Sequence, residues 1–275
     1  MSGLGRDPGR DVLRQLRREV GFCCPVRNCN SPYLTWHHFD PPWRVEHHHR
    51  PQGMIALCVE HAAKADRGAF TNDQLRAMKQ QGRGSGQTVS GMFDWMRNEI
   101  LADVGGNFYY KTKVIFQICS IPCIWFDRDS DGYLLLNLNL PTLSDRPRVR
   151  MEQNFWTAGA DVDQIICPPG GRSIEVRYDD MQRGDRFRLE FRNLASSEEF
   201  DSVYPAYSGV RWLANIHFPA TLLRISERLS ESSIEFGPKF LRVPGGNVFS
   251  GGFCEGADVG FELNIDNRDL EQLFK

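Results

Sequence analysis

The chain has 275 residues, a formal charge of −2, a hydrophobic fraction of 41% and eight cysteines, enough for one large domain or two modest ones but without the run of about eighteen apolar residues that a membrane-spanning helix needs. The charge is uneven: residues 1–83 hold 13 Lys and Arg against 8 Asp and Glu, a balance of +5, and residues 84–275 hold 20 against 27, a balance of −7, so the first part suits a polyanion and the second does not. Met1 to Arg10 lacks the apolar stretch of a secretory signal, and eight cysteines without one point to a reducing, cytoplasmic compartment and to metal use rather than disulfides.

Asp11 to Val20 reads as a helix, with Val12, Leu13, Leu16 and Val20 at helical spacing. Arg14, Arg17 and Arg18 fall on its outer face, either as a plain solvated surface or as nucleic-acid-binding residues whose guanidinium forks suit phosphate. The next stretch dominates the sequence. Six of the seven histidines (His37, His38, His47, His48, His49 and His61) lie between Cys24 and Asp66, whereas histidines serving as core filler would be scattered. Cys24 and Cys29 form a Cys-x4-Cys pair, and Cys58 and His61 a Cys-x2-His pair; together they make the four-ligand set of a structural zinc. Cys23 is the spare. Cys24 is preferred because it gives the shorter knuckle.

Between the pairs, the alternation of Tyr33, Thr35 and His37 against Leu34, Trp36 and His38 predicts a strand with the two histidines on opposite faces. After a loop holding His47, His48 and His49, Met54 to Leu57 reads as a second strand and Val59 to Asp66 as a helix. The spacing thus predicts a ββα unit. Thr71 is a helix N-cap for the segment ending at Lys79.

The run Cys-x4-Cys, His37-His38, Ile55-Ala-Leu-Cys-x2-His61, Lys64-Ala-Asp66-x-Gly-x-Phe-Thr-x-x-Gln-Leu-Arg-x-Met-Lys79 resembles the HNH endonucleases of the zinc-stabilised ββα-metal group, over about residues 20–79. The resemblance implies that His37 and Asp66 bind a catalytic Mg²⁺ or Mn²⁺, that His38 is the general base, and that the substrate is DNA. It also implies two departures. Gly53 stands where the family usually has the asparagine that steadies the loop aiming the base, a loss that His47, His48 or His49 could offset; His49 lies nearest the place where relatives often carry a loop histidine. Ala62 stands where relatives often have a further histidine ligand, a natural weakening or an introduced change. The loop histidines otherwise read as a solvated basic loop, in which His49 is the candidate nucleic-acid-binding residue.

Gly82 to Gly86 reads as a linker, and Thr88 to Val104 as a connecting helix, with Met92, Trp95, Met96, Ile100 and Leu101 near helical spacing. Beyond Phe108, short strand-like runs separated by Pro and Gly turns predict an antiparallel sandwich or barrel. Asp127 to Gly132 begins like a calcium loop, but position twelve is Leu138, so it reads as a hairpin turn. His217 reads as a strand histidine and the remaining cysteines as buried thiols. The expected organisation is α+β: a zinc-bound ββα nuclease domain over 1–83, a connector over 84–106, and a β-rich recognition or regulatory domain over 107–275. The expected function is DNA cleavage, of the kind used by bacterial defence effectors, with a partner protein or a second copy engaged through the β-rich domain and no membrane. The alternative is a non-cleaving nucleic-acid-binding or assembly subunit.

Overall fold

The computed structural model describes residues 5–82, 88–141, 148–159, 161–178, 184–230 and 232–266. Over these the chain is α+β and mostly strand. It begins α1 (Arg10–Glu19), β1 (Leu34–His38), β2 (Met54–Cys58), α2 (Val59–Asp66), α3 (Asn72–Gln81) and β3 (Thr88–Met92). It continues β4 (Leu101–Val104), β5 (Asn107–Tyr110), β6 (Val114–Ile118), β7 (Ile121–Arg128), β8 (Leu134–Asn139), β9 (Arg150–Glu152), β10 (Phe155–Gly159), β11 (Gln164–Ile166) and β12 (Ser173–Arg177). It ends β13 (Arg186–Leu194), α4 (Ser197–Val203), β14 (Ala220–Arg228), β15 (Glu235–Phe236), β16 (Leu241–Arg242), β17 (Val248–Phe249), β18 (Phe253–Glu255) and β19 (Val259–Leu263). Two compact units result: Met1–Gly91 with Thr157–Tyr178, and Met92–Trp156 with Asp179–Lys275. Of the expected linker, residues 83–86 lie outside the described residues. Among the described residues no helix is long and apolar enough to cross a membrane.

In the first unit β1 and β2 pair antiparallel, from Leu34 opposite Cys58 to His38 opposite Met54. All five residues of β2 are buried, as a continuous apolar run in a small core must be. Cys58 caps α2, its sulfur accepting from His61 N at 3.5 Å. The helix stops just after Asp66 because Gly68, at φ +80°, turns the chain: Gly68 N bonds Ala65 O at 2.9 Å and Ala69 N bonds Lys64 O at 3.0 Å, the paired closure of a left-handed C-terminal cap. The expected N-cap at Thr71 is present as a full capping box with Gln74. Leu16, Val20, Leu34, Phe39, Met54, Ile55, Leu57 and Leu75 form the core around Cys24 and Cys58, each large side chain contributing about 1.5–3 kcal/mol by leaving water. The hairpin β11–β12 belongs to this unit as well, with Ile165 opposite Val176.

The second unit holds two sheets. One runs β19-β6-β7-β8-β9; the other contains β13-β14-β15-β16-β17 with β4, β5 and β18 joined at β14. Phe116 of β6 meets Phe236 of β15 edge to face, ring centroids 5.1 Å apart. Among the described residues neither sheet closes into a barrel, and the expected all-antiparallel pairing fails at three places. β4 runs parallel to β14, β18 parallel to β5, and β19 parallel to β6. The helix expected over Thr88 to Val104 is absent: the segment is β3, an extended connection and β4. Met92 and Met96 of its apolar set are exposed while Phe93, Ile100 and Leu101 are buried, so the burial does not follow a helical face. Asp127 to Gly132 is the hairpin turn expected, with Gly132 at φ +85° and Arg128 opposite Leu134. His217 lies outside any strand, on an exposed loop before β14.

Candidate metal centre and histidine cluster

The ligand atoms of Cys24, Cys29, Cys58 and His61 all lie within 4.8 Å of one another. Cys29 Sγ is 3.7 Å from Cys58 Sγ, Cys58 Sγ is 3.2 Å from His61 Nδ1, and Cys24 Sγ is 3.5 Å from the same nitrogen. Tetrahedral zinc with bonds of about 2.3 Å to sulfur and 2.0–2.1 Å to nitrogen sets S–S edges of about 3.8 Å and S–N edges of about 3.6 Å. The donor set and its spacing therefore fit a metal ion such as zinc. Cys24, not Cys23, faces the group. The turn between the first two ligands is made by Cys24 N bonding Ser31 O at 2.8 Å and Cys29 N bonding Val26 O at 3.0 Å, with Asn28 and Asn30 at φ +65° and +57°. Burial raises the Cys24 thiol to about 12 and raises Cys58 also. A thiolate here thus needs a cation to hold it.

Next to this group stands a second constellation. His37 Nδ1 lies 3.0 Å from Asp66 Oδ1; the histidine side chain is 9% exposed and the aspartate 61%. Strand β1 supplies one and the last residue of α2 the other, so the short helix presents His61 to the cysteines and Asp66 to His37. Burial lowers the His37 pKa, against Asp66, which raises it; Arg6 lowers it further.

His38, on the opposite face of β1, is buried, and its Nε2 has no hydrogen-bond partner. Its ring touches Trp43, His48 and His49, at centroid distances of 4.7, 5.3 and 6.0 Å. Burial first, then the neighbouring imidazoles and Arg6, hold its pKa at about 4, so the ring is neutral at physiological pH. Trp43 also stacks on His47 and His49, at 4.5 and 5.5 Å. Ala62 is buried and brings no donor.

No protein-family model, curated protein or solved structure matches the chain.

Arg14, Arg17 and Arg18 of α1 are engaged by the chain itself. Arg14 and Arg18 both pair with the Asp163 carboxylate, whose side chain is 3% exposed, and Arg18 Nε donates to Asp163 O at 3.1 Å. Arg17 lies over Trp36 at 5.0 Å and donates to Gln164 Oε1 at 3.4 Å; burial lowers its pKa to about 10. Sequence reasoning did not single out Arg6, Trp43 or, by itself, His48. A lone Trp in a Pro-rich loop and an Arg 31 residues before His37 carry no periodic signal, and the histidine run read as solvated although His48 is buried.

Proposed function

We propose that the first unit is a metal-dependent endonuclease centre of the HNH, zinc-stabilised ββα-metal type that hydrolyses phosphodiester bonds in DNA. The observation that carries this reading is the meeting of His37 Nδ1 and Asp66 Oδ1 at 3.0 Å, with His38 behind them on the same strand and a Cys₃His group beside them. Adjacent ligands of a small octahedral cation, with bonds of 2.0–2.1 Å, lie about 3 Å apart, so these two donors fit Mg²⁺ or Mn²⁺. When bound, such an ion supplies positive charge to the phosphate and to the leaving oxygen. His37 and Asp66 would hold it, and the exposure of Asp66 leaves the site open to substrate. His38 takes the proton of the attacking water on its bare Nε2, a role that needs a neutral imidazole. Arg6 adds positive charge nearby. The β-rich unit recognises or regulates: it contains two cavities of about 410 Å³, one bordered by Lys111, Lys113 and Arg128.

The test is conversion of supercoiled plasmid with Mg²⁺, with Mn²⁺ and with chelator, using the chain as it stands, its Ala62→His variant and His38→Ala. Metal-dependent cutting that the histidine at 62 speeds and the alanine at 38 abolishes is the expected result. No metal-dependent cutting of DNA by either of the first two proteins overturns the reading. A second reading, nucleic-acid binding without cleavage, is favoured by the missing donor at Ala62; it predicts retention of DNA in a gel with no cutting by any variant.

A further inference from the structure

Position 53 has no room for a side chain. A Cβ on Gly53 would lie 2.0 Å from the Asp40 carbonyl oxygen and 2.9 Å from Cε1 of His48. The Gly53 carbonyl accepts from Phe39 N at 2.9 Å and from Asp40 N at 3.2 Å, so the chain leaving β1 is closed over this position and the His48 ring fills the space beside it. His48 is 4% exposed, although it sits between His47 and His49 in the loop. Both of its ring nitrogens meet the backbone: Nε2 is 2.9 Å from Pro41 O, and Nδ1 is 3.1 Å from Arg50 N. A carbonyl only accepts and a backbone N–H only donates, so Nε2 carries the proton and Nδ1 is bare. One neutral imidazole ties the exit of β1 to the approach to β2.

The His38 ring, by contrast, has an unpartnered Nε2, and its direction is set by what surrounds it. The backbone of His48 hydrogen-bonds the His38 ring. The His48 imidazole stands edge-on to it at 5.3 Å and 82°. Trp43 and His49 also border His38, but they stack on each other; only His48 is fixed at both ring nitrogens to the loop that carries it.

We propose that His48 is the positioning residue for His38: it spans the loop from Pro41 to Arg50, packs beside Gly53, and keeps the His38 ring aimed with Nε2 bare. The functional part of this rests on the reading of His38 as the base.

Long-range ¹H–¹⁵N spectra of the 275-residue, zinc-loaded chain with labelled histidine test it directly. At neutral pH His48 is expected as a single Nε2–H tautomer and His38 as a single Nδ1–H form. Exchange between tautomers at His48, or an Nδ1–H ring there, overturns the proposal. In His48→Ala the bound zinc should be unchanged while the His38 signals broaden or split. In the Ala62→His background the same substitution should lower plasmid turnover by at least about tenfold, with the half-saturating DNA concentration within about twofold. Unchanged His38 signals in a folded, zinc-loaded His48→Ala protein refute the role of His48 whether or not any variant cuts. The expected spectra without cutting by the Ala62→His chain support the positioning of His38 and overturn only the nuclease reading.

Discussion

Removing the metal from the Cys24, Cys29, Cys58 and His61 group should unfold the first unit's ββα segment. Cys58→Ser is the informative perturbation. Serine keeps an oxygen able to cap α2, and a capping interaction contributes about 1 kcal/mol, so the helix start is preserved while the soft thiolate is lost. The thiolate matters far more. Structural zinc in small sites contributes about 10–16 kcal/mol at neutral pH, whereas a whole domain is stable by about 5–15 kcal/mol. The core of Leu16, Ile55, Leu57 and their neighbours offsets part of the loss, but α2 has only eight residues and cannot persist alone. Metal analysis should show one tightly held zinc in the parent chain and none in the variant. Peptide-level hydrogen exchange should show protection lost over β1, β2 and α2, with β13 and β14 of the second unit unaffected. If the variant, or the chelated parent, keeps its exchange protection over residues 54–66, the group is not a folding element and the reasoning fails.

Asp163→Ala removes the buried carboxylate shared by Arg14 and Arg18; because both arginines are partly exposed and can turn to water, the expected loss is about 2 kcal/mol, read as a lower denaturant midpoint, and an unchanged midpoint would refute the contact's importance. Gly53→Ala drives a methyl against the Asp40 carbonyl and should destabilise by at least about 2 kcal/mol; a neutral effect in thermal unfolding would show that the loop yields easily. Asp103 is raised above its ordinary carboxyl value by burial, against Tyr204 and Arg224, which lower it. The folded state therefore holds this proton to higher pH than the unfolded one, and its contribution to stability is present in acid and lost as pH rises through the folded pKa. Asp103→Asn lacks that loss, so its melting temperature should gain on the parent's as pH rises above the ordinary carboxyl value, and a difference independent of pH would count against the buried proton.

The candidate metal-binding group was legible because it is two short local spacings, and the strands and helix that join them are punctuated by Pro41, Pro42, Gly53 and Gly68. The bounds of α2 and the cap at Thr71 come from the same local chemistry. What stayed hidden is long-range. Nothing near Arg14 or Arg18 announces Asp163, roughly 150 residues on; an amphipathic basic helix looks the same whether its arginines face water, phosphate or a distant carboxylate. Met92, Trp95, Met96 and Ile100 fit a helical stripe by spacing alone, but Met92 and Met96 are exposed while Val89 and Phe93, off that stripe, are buried. The parallel pairing of β4 with β14 joins residues more than a hundred positions apart, and no turn residue encodes it. His48 differs from His47 and His49 only through the room left at Gly53, a contact that no periodicity reports.

Helix α2 places the two constellations of the first unit under one control. Its first turn is stapled through Cys58 and His61, and its last residue, Asp66, stands 3.0 Å from His37. Thiol oxidation or zinc starvation would therefore reach the open edge without touching any residue on it, because the aspartate exists in position only while the eight-residue helix does. Whatever unseats the first turn of α2 would thus also displace Asp66 from His37.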